Sequence, residues 1–193
     1  MIIFFNVLIG KSTNDLLSIN AWISIFLYMR LLFAAFQNSE MIIIATIIFT
    51  TIWLIVLIDF QYMIIMDETI IILLFLGIFA TIKYDFDNLF YKIICIFVVY
   101  GSIHAMAHAY HFYRGVKGIG AGDIKLLSVS TLLVGLDGLP LCLLYASLSA
   151  IFSLLLLKND TKLITMQTKI PFGSHLAFSI WIVFVTGDFE AYS

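Results

Sequence analysis

The chain has 193 residues, of which 63% are hydrophobic and only 11% are charged, and its formal net charge is -2. About half of a soluble protein is apolar, so a chain this apolar needs a lipid bilayer as its main solvent. The slightly negative charge argues against a nucleic-acid partner. The cysteines, Cys95 and Cys142, lie inside apolar runs and form no C-x-x-C pair, so we expect no thiolate zinc site. We also expect no cofactor.

Apolar segments follow one another along most of the chain. The N-terminus begins with a short apolar stretch, which we expect to belong to the mature protein because it lacks the features of a cleaved signal peptide. A later, longer stretch is interrupted at Gly138-Leu139-Pro140, since proline fixes φ and lacks an N–H group. The approximate segments are 19–36, 41–58, 69–82, 89–112, 124–137, 140–157 and 172–187. A spanning helix needs roughly 20 apolar residues, so we expect an all-α, polytopic integral membrane protein with about six to seven transmembrane helices in a single membrane-embedded domain, 1–193.

The basic residues predict which loops face the cytoplasm. If the loop that contains Asp59 is cytoplasmic, alternation of the spans leaves only Lys83 and Lys92 outside, while Arg30 lies within a span. The cytoplasmic side then carries Lys11, Arg114, Lys117, Lys125, Lys158, Lys162 and Lys169. This excess obeys the positive-inside rule. We therefore expect loops 113–123 and 158–170 in the cytoplasm and loop 83–88 outside.

Two aspartates lie at predicted membrane boundaries, on the same side of the membrane. Asp59 directly follows the run WLIVLI, and Asp123 ends the run GIGAGD. A carboxylate beside hydrocarbon is costly and therefore functional by default. Two such groups brought together can share a proton, deprotonate a water molecule and protonate a leaving amine. That is the chemistry of an aspartic peptidase, although either aspartate could instead mark only the end of a helix.

Glycines alternate immediately before Asp123, at Gly118, Gly120 and Gly122. Glycine permits unusual backbone conformations and a close approach of the backbone to a ligand. We expect this loop to carry Asp123 towards Asp59 and to leave room for a substrate backbone. A plain flexible turn is the alternative.

Residues 120–127, GAGDIKLL, resemble the G-x-G-D-x-K-L signature of the bacterial type IV prepilin peptidases, and two further segments resemble that family in the same order. Residues 59–67 are similar to its first-aspartate segment, in which Asp67 is in place but Met66 stands where proline is usual. Residues 169–173, KIPFG, resemble its late I-P-F-G-P loop, with Ser174 in place of the second proline.

The resemblance implies an intramembrane aspartic endopeptidase with Asp59 and Asp123 as its catalytic residues and no metal. Its substrates would be prepilins or pseudopilins of type IV pili or type II secretion, cleaved at the cytoplasmic face of the bacterial inner membrane. Many members also carry an N-terminal methyltransferase and zinc module with paired C-x-x-C motifs, and this chain contains no such motif. We therefore expect a short, peptidase-only form. The implied active-site loops contain Gly120, Gly122, Lys125, Asp67, Pro171, Phe172 and Gly173.

Other functions remain open at this point. His104, His108 and His111 share one helical face, so they could bind haem in a membrane cytochrome. Asp59 and Asp123 could instead relay protons in a proton-coupled transporter. Asp85 follows Tyr84, as the aspartate of presenilin-type proteases follows a tyrosine, but the predicted topology places it on the opposite side from Asp123.

Overall fold

The computed structural model describes residues 39–116, 118–157 and 171–187, and these residues contain helices and short connections but no strand. Helix α1 is Ser39–Tyr62, and α2 is Asp67–Tyr84. A short 3-10 helix, Phe86–Asn88, leads into α3, Leu89–Arg114. Helix α4 is Ala121–Leu157, and α5 is Phe172–Thr186. The predicted all-α class is confirmed. The predicted span 19–36 and loop 158–170 lie outside the described residues.

Helix α1 is apolar on all sides, as expected of a helix that lies in lipid. Ala45, Ile48 and Ile52 are buried against the other helices, whereas Ile43 and Leu54 are exposed. The helix ends at Tyr62, and its last turn contains Asp59. The next residue, Met63, has a positive φ of 55°, which turns the chain towards α2.

Helix α2 begins with two acidic residues, Asp67 and Glu68, which complement the positive end of the helix dipole. Farther along α2, Gly77 packs directly on α4. A Cβ added to Gly77 would lie 2.8 Å from Cβ of Leu132, so glycine allows the two helices to approach closely.

Helix α4 reverses its direction at Gly135, the one residue in it with non-helical backbone angles (φ 70°, ψ 175°). Its beginning lies beside the beginning of α5, because a Cβ on Gly173 would be 3.0 Å from Asp123. Just after the reversal, a Cβ on Gly138 would be 3.2 Å from Val183, which lies near the end of α5. The part of α4 before Gly135 therefore runs along α5 from its beginning to its end.

The part of α4 after Gly135 returns along α5. Ser149 in this part contacts His175, in the first turn of α5, at 2.9 Å. The sequence prediction of two spans, 124–137 and 140–157, thus matches two antiparallel helical segments. The prediction placed the break at Gly138–Pro140, whereas the structure has it at Gly135. Pro140 lies inside the returning segment, five residues after Gly135, where it cannot donate a hydrogen bond to the carbonyl of Leu136.

Helix α5 lies against α1 and both segments of α4 and is the most thoroughly buried of the described helices. Helix α5 packs against α1 and α4, α4 also packs against α2 and α3, and α1 packs against α2. Helix α3 contacts mainly α4 and keeps large apolar side chains exposed, including Phe90, Phe97 and Val98. Such apolar side chains suit contact with lipid. The backbone of a helix can lie in lipid as well, because its N–H and C=O groups form hydrogen bonds within the helix.

Three helical stretches in the described parts of the chain are long and apolar enough to cross a membrane: Glu40–Tyr62, Phe86–Arg114 and Ala121–Leu154. Phe172–Thr186 is a shorter apolar helix. The chain is therefore a multi-pass membrane protein. The total of about six to seven spans stays a prediction, since roughly 20 apolar residues are needed for each.

Candidate active site

Three helix ends meet at one end of the bundle. They are the last turn of α1, which carries Asp59, and the first turns of α4 and α5, which carry Asp123 and Gly173. The connection 63–66 between α1 and α2 lies against them. Two predicted catalytic residues and one predicted loop residue are thus brought together from distant parts of the sequence.

Gly173 lies between the two carboxyl groups. A Cβ added to it would be 3.0 Å from Cγ of Asp59 and 3.0 Å from Oδ1 of Asp123. These two carboxyl atoms are therefore separated by no more than twice that distance. Two carboxylates this close can bind one water molecule or share one proton.

Asp59 is almost completely buried, with 4% of its surface exposed. Its Oδ2 accepts hydrogen bonds from the backbone N–H of Ser174 at 2.5 Å and from Oγ of Ser174 at 2.7 Å. Ser174 lies in the first turn of α5, where backbone N–H groups have no partner within their own helix. The Asp59 carboxylate therefore satisfies one of these donors and faces the positive end of the α5 dipole.

Asp123 is half-buried and lies in the first turn of α4. Its carboxylate accepts a hydrogen bond from the backbone N–H of Gly120, the residue just before that helix. This arrangement is the backbone half of a capping box, in which an acidic side chain reaches back to the residue before the helix. A Cβ on Gly120 would lie 3.0 Å from Oδ2 of Asp123, so the carboxylate and the loop backbone are in close contact.

Ile65 packs against two of the predicted loop glycines. A Cβ on Gly122 would lie 2.9 Å from Cβ of Ile65, and a Cβ on Gly173 would lie 2.7 Å from its Cδ1. Glycine at 122 thus lets the start of α4 approach the α1–α2 connection. The sequence predicted a different role for this glycine, which was to leave room for a substrate backbone. Sequence reasoning missed Ile65, because it is one of several apolar residues in that connection.

Lys125 and Asp67 form an ion pair, with Nζ 2.7 Å from Oδ1. The pair joins the first turn of α4 to the first residue of α2, at the same end of the bundle as Asp59. Both side chains are exposed, so the pair adds little to the free energy of folding. Pro171 precedes α5, and Phe172 begins it and packs against the core.

Asp85 lies at the other end of α2 from Asp67 and takes no part in this group. It contacts Lys92 at 2.9 Å and accepts a hydrogen bond from Asn88 at 2.6 Å. Burial raises the pKa of the Asp85 carboxyl, but the hydrogen bonds from Lys92 and Asn88 outweigh that effect and the net shift is downward. Asp85 is thus an ionised structural residue remote from Asp123, as the sequence predicted.

The three histidines of α3 are exposed, and they lie on a different helix from either carboxylate. Within the described ranges, no group of three or more His, Cys, Asp or Glu side chains is arranged to hold a metal ion. His104 stacks on Tyr100, with ring centroids 5.6 Å apart.

His175 is buried and directed away from the carboxylates. Its Nδ1 is 2.9 Å from Oγ of Ser149, and its Nε2 is 3.5 Å from Oγ of Ser153. Its neighbour Ser174 contacts Asp59 instead. The two consecutive residues therefore do not act as a serine–histidine pair. Ser149 and Ser153 carried no recognisable signal in the sequence.

Known proteins resemble this chain over a range that includes both aspartates of the site. The model of the type IV leader peptidase family matches residues 46–155, a range that contains Asp59 and Asp123. The chain is similar to the prepilin leader peptidase/N-methyltransferase of Aeromonas hydrophila, with 31% identity over 134 residues, which are 68% of this chain and 45% of the relative. For the protein of the same description from Pseudomonas aeruginosa, identity is 32% over 133 residues, again 68% and 45%. The chain thus matches somewhat less than half the length of these curated relatives. No solved structure matches significantly.

Proposed function

The chain belongs to the type IV leader peptidase family, and we propose that it is an intramembrane aspartic endopeptidase that removes the leader peptide of prepilins or pseudopilins. The observation that carries this proposal is the convergence of Asp59 and Asp123 on Gly173, with each carboxyl group 3.0 Å from the same point. Cleavage takes place at the cytoplasmic face of the bacterial inner membrane.

The proposed chemistry needs only the two carboxyl groups and a water molecule. One group is ionised and takes a proton from the water, whose oxygen attacks the carbonyl carbon of the leader peptide bond. The other group is protonated and gives its proton to the leaving nitrogen as the carbon–nitrogen bond breaks. Two neighbouring carboxyls can hold one proton between them in this way because ionising both is unfavourable.

The position of the pair suits a substrate that lies partly in the membrane. Asp59 lies in the last turn of an apolar helix and Asp123 in the first turn of another, which supports a position of both at the aqueous boundary of the membrane. The exposed Lys125–Asp67 pair marks the same boundary. A substrate whose apolar segment lies in the bilayer can therefore present the adjoining peptide bond to the carboxylates.

Replacement of each carboxylate by its amide tests the proposal. Asp59→Asn and Asp123→Asn should each abolish leader removal from a co-expressed prepilin, because an amide can neither accept the water proton nor serve as the acid. The readouts are gel mobility and N-terminal sequencing of the pilin, normalised to the amount of membrane-inserted protein. Asp87→Asn is the matched control, since Asp87 is exposed at the other end of the bundle. Near-normal cleavage by either of the first two variants would refute the pair.

A further inference from the structure

Ser174 supplies two hydrogen-bond donors to a single oxygen of Asp59. The backbone N–H and the hydroxyl both reach Oδ2, at 2.5 and 2.7 Å. Ser174 is fully buried and Asp59 nearly so. The hydroxyl also lies 3.3 Å from the carbonyl oxygen of Val56, but the shorter contact is the one to the carboxylate. A proline at this position, as in the motif that the segment resembles, would provide neither donor.

The two carboxyl groups are therefore held differently. Asp59 receives the two donors of Ser174, whereas Asp123 receives one backbone N–H, from Gly120, and is only half-buried. Hydrogen bonds donated to a carboxylate favour its ionised form, and those that involve a charged partner are the stronger kind. Burial acts the other way, because it is more complete at Asp59 and disfavours a charge there. The two donors of Ser174 offset that cost, and this difference in hydrogen bonding favours the negative charge on Asp59 and the proton on Asp123.

We propose that Ser174 is a positioning residue that holds Asp59 as the ionised member of the pair, so that Asp59 is the general base and Asp123 the general acid. This inference rests on the proposed peptidase function. Oδ2 is engaged by Ser174, and Oδ1 takes the proton from the attacking water. Asp123 then protonates the leaving nitrogen. The cycle ends with the proton on Asp59, and its transfer to Asp123, directly or through water, restores the resting state.

The surrounding charged groups do not reverse this assignment. On α4, Asp123 faces Asp59 and disfavours a second negative charge on the pair. The charge of Asp67 on α2 is matched by Lys125 on α4. His175 on α5 is directed towards Ser149 and Ser153 rather than towards the carboxylates. In the last turn of α1, Asp59 is the sole charged residue.

Steady-state cleavage of a prepilin substrate, measured across a range of pH, tests the role of Ser174. Ser174→Ala removes the hydroxyl donor and keeps the N–H, so kcat should fall about ten- to a hundredfold, the effect of losing one hydrogen bond to a charged group. KM should stay the same, because Ser174 is fully buried and has no exposed surface for a substrate to contact. The acidic limb of the pH–rate profile should move to higher pH, since the general base ionises less readily. Ser174→Thr keeps a hydroxyl and should restore most of kcat.

Ser179→Ala is the matched control. Ser179 is a buried serine of the same helix, but its hydroxyl bonds to the carbonyl of Leu176 instead of to a carboxylate. This variant should keep the wild-type kcat and pH profile. A Ser174→Ala enzyme with the wild-type kcat and pH profile, beside an active wild type, would overturn the role of Ser174 alone. Absence of cleavage by the wild type would overturn the peptidase function, and the role of Ser174 with it.

Discussion

At the scale of single residues, the absence of a side chain at position 173 is what lets the carboxylates meet. Cγ of Asp59, Oδ1 of Asp123 and Cδ1 of Ile65 all lie within 3.0 Å of the place that a Cβ would occupy. Real Cβ atoms hardly ever come closer than 3.0 Å to another heavy atom, so a methyl group there has to displace at least one of these groups. The site is thus formed around a glycine.

Gly173→Ala should therefore reduce cleavage strongly. The nearest contact, Cδ1 of Ile65, is the end of a flexible side chain, but the carboxyl groups at 3.0 Å must give way by a few tenths of an ångström. A displacement of about 1 Å in a catalytic group can lower the rate about a hundredfold, so we expect this smaller shift to lower it about tenfold. Gly101→Ala is the control, because nothing lies within 4 Å of its Cβ position and the expected activity is that of the wild type. Rates should be compared at equal amounts of inserted protein. Wild-type activity in Gly173→Ala would show that the pair does not need this spacing.

The two aspartates and the active-site loops beside them could be predicted from the sequence, whereas the contacts between these residues could not. Asp59 and Asp123 are conspicuous because carboxylates are rare beside apolar runs. The donors of Ser174 and the contact of Ile65 depend on how α5 and the α1–α2 connection approach the carboxylates. How these elements approach each other depends on packing between segments that are distant in the sequence. No local sequence pattern at residue 65 or 174 therefore indicates these contacts.

At the scale of helices, the reversal of α4 at Gly135 determines how α5 is held. The segment before Gly135 brings Asp123 to the site, and the segment after it returns to place Ser149 beside His175. Both segments of α4 therefore pack against the first turn of α5, which carries Ser174. The apolar pattern predicted two spans here. It placed the break at Pro140 because proline is the more obvious interruption, although the positive φ belongs to Gly135.

Gly135→Ala should destabilise the protein without a steric clash. The φ of Gly135 is 70°, a value that costs an ordinary residue about 1–3 kcal/mol. Nothing lies within 4 Å of its Cβ position, so backbone strain is the only expected cost. The midpoint of thermal unfolding in detergent should fall relative to the wild type. Gly101→Ala, in a regular and open part of α3, should leave that midpoint unchanged or raise it slightly. Equal midpoints for the two variants would contradict a strained reversal.

At the scale of the whole molecule, the described helices carry charged residues at both ends of the bundle. The end with Asp59 and Asp123 also carries Arg114 and the Lys125–Asp67 pair. At the other end, Lys83 contacts Glu40 and Lys92 contacts Asp85, so both cations are paired with carboxylates. Basic residues near the ends of spans favour the cytoplasmic side. The described helices carry two of the basic residues just named at each end, so the orientation depends on the basic residues of the whole sequence and stays a prediction.

Labelling of single cysteines in intact cells tests this orientation. Asp87→Cys and Val116→Cys introduce exposed thiols at opposite ends of α3, in a background in which the buried Cys95 and Cys142 are replaced by alanine. A membrane-impermeant thiol reagent should label position 87 in intact cells and position 116 only after the cells are permeabilised. Both thiols should react in permeabilised cells, which controls for their accessibility. Labelling of position 116 in intact cells would instead place Asp59 and Asp123 at the outer face, where a cytoplasmic leader peptide could not reach them.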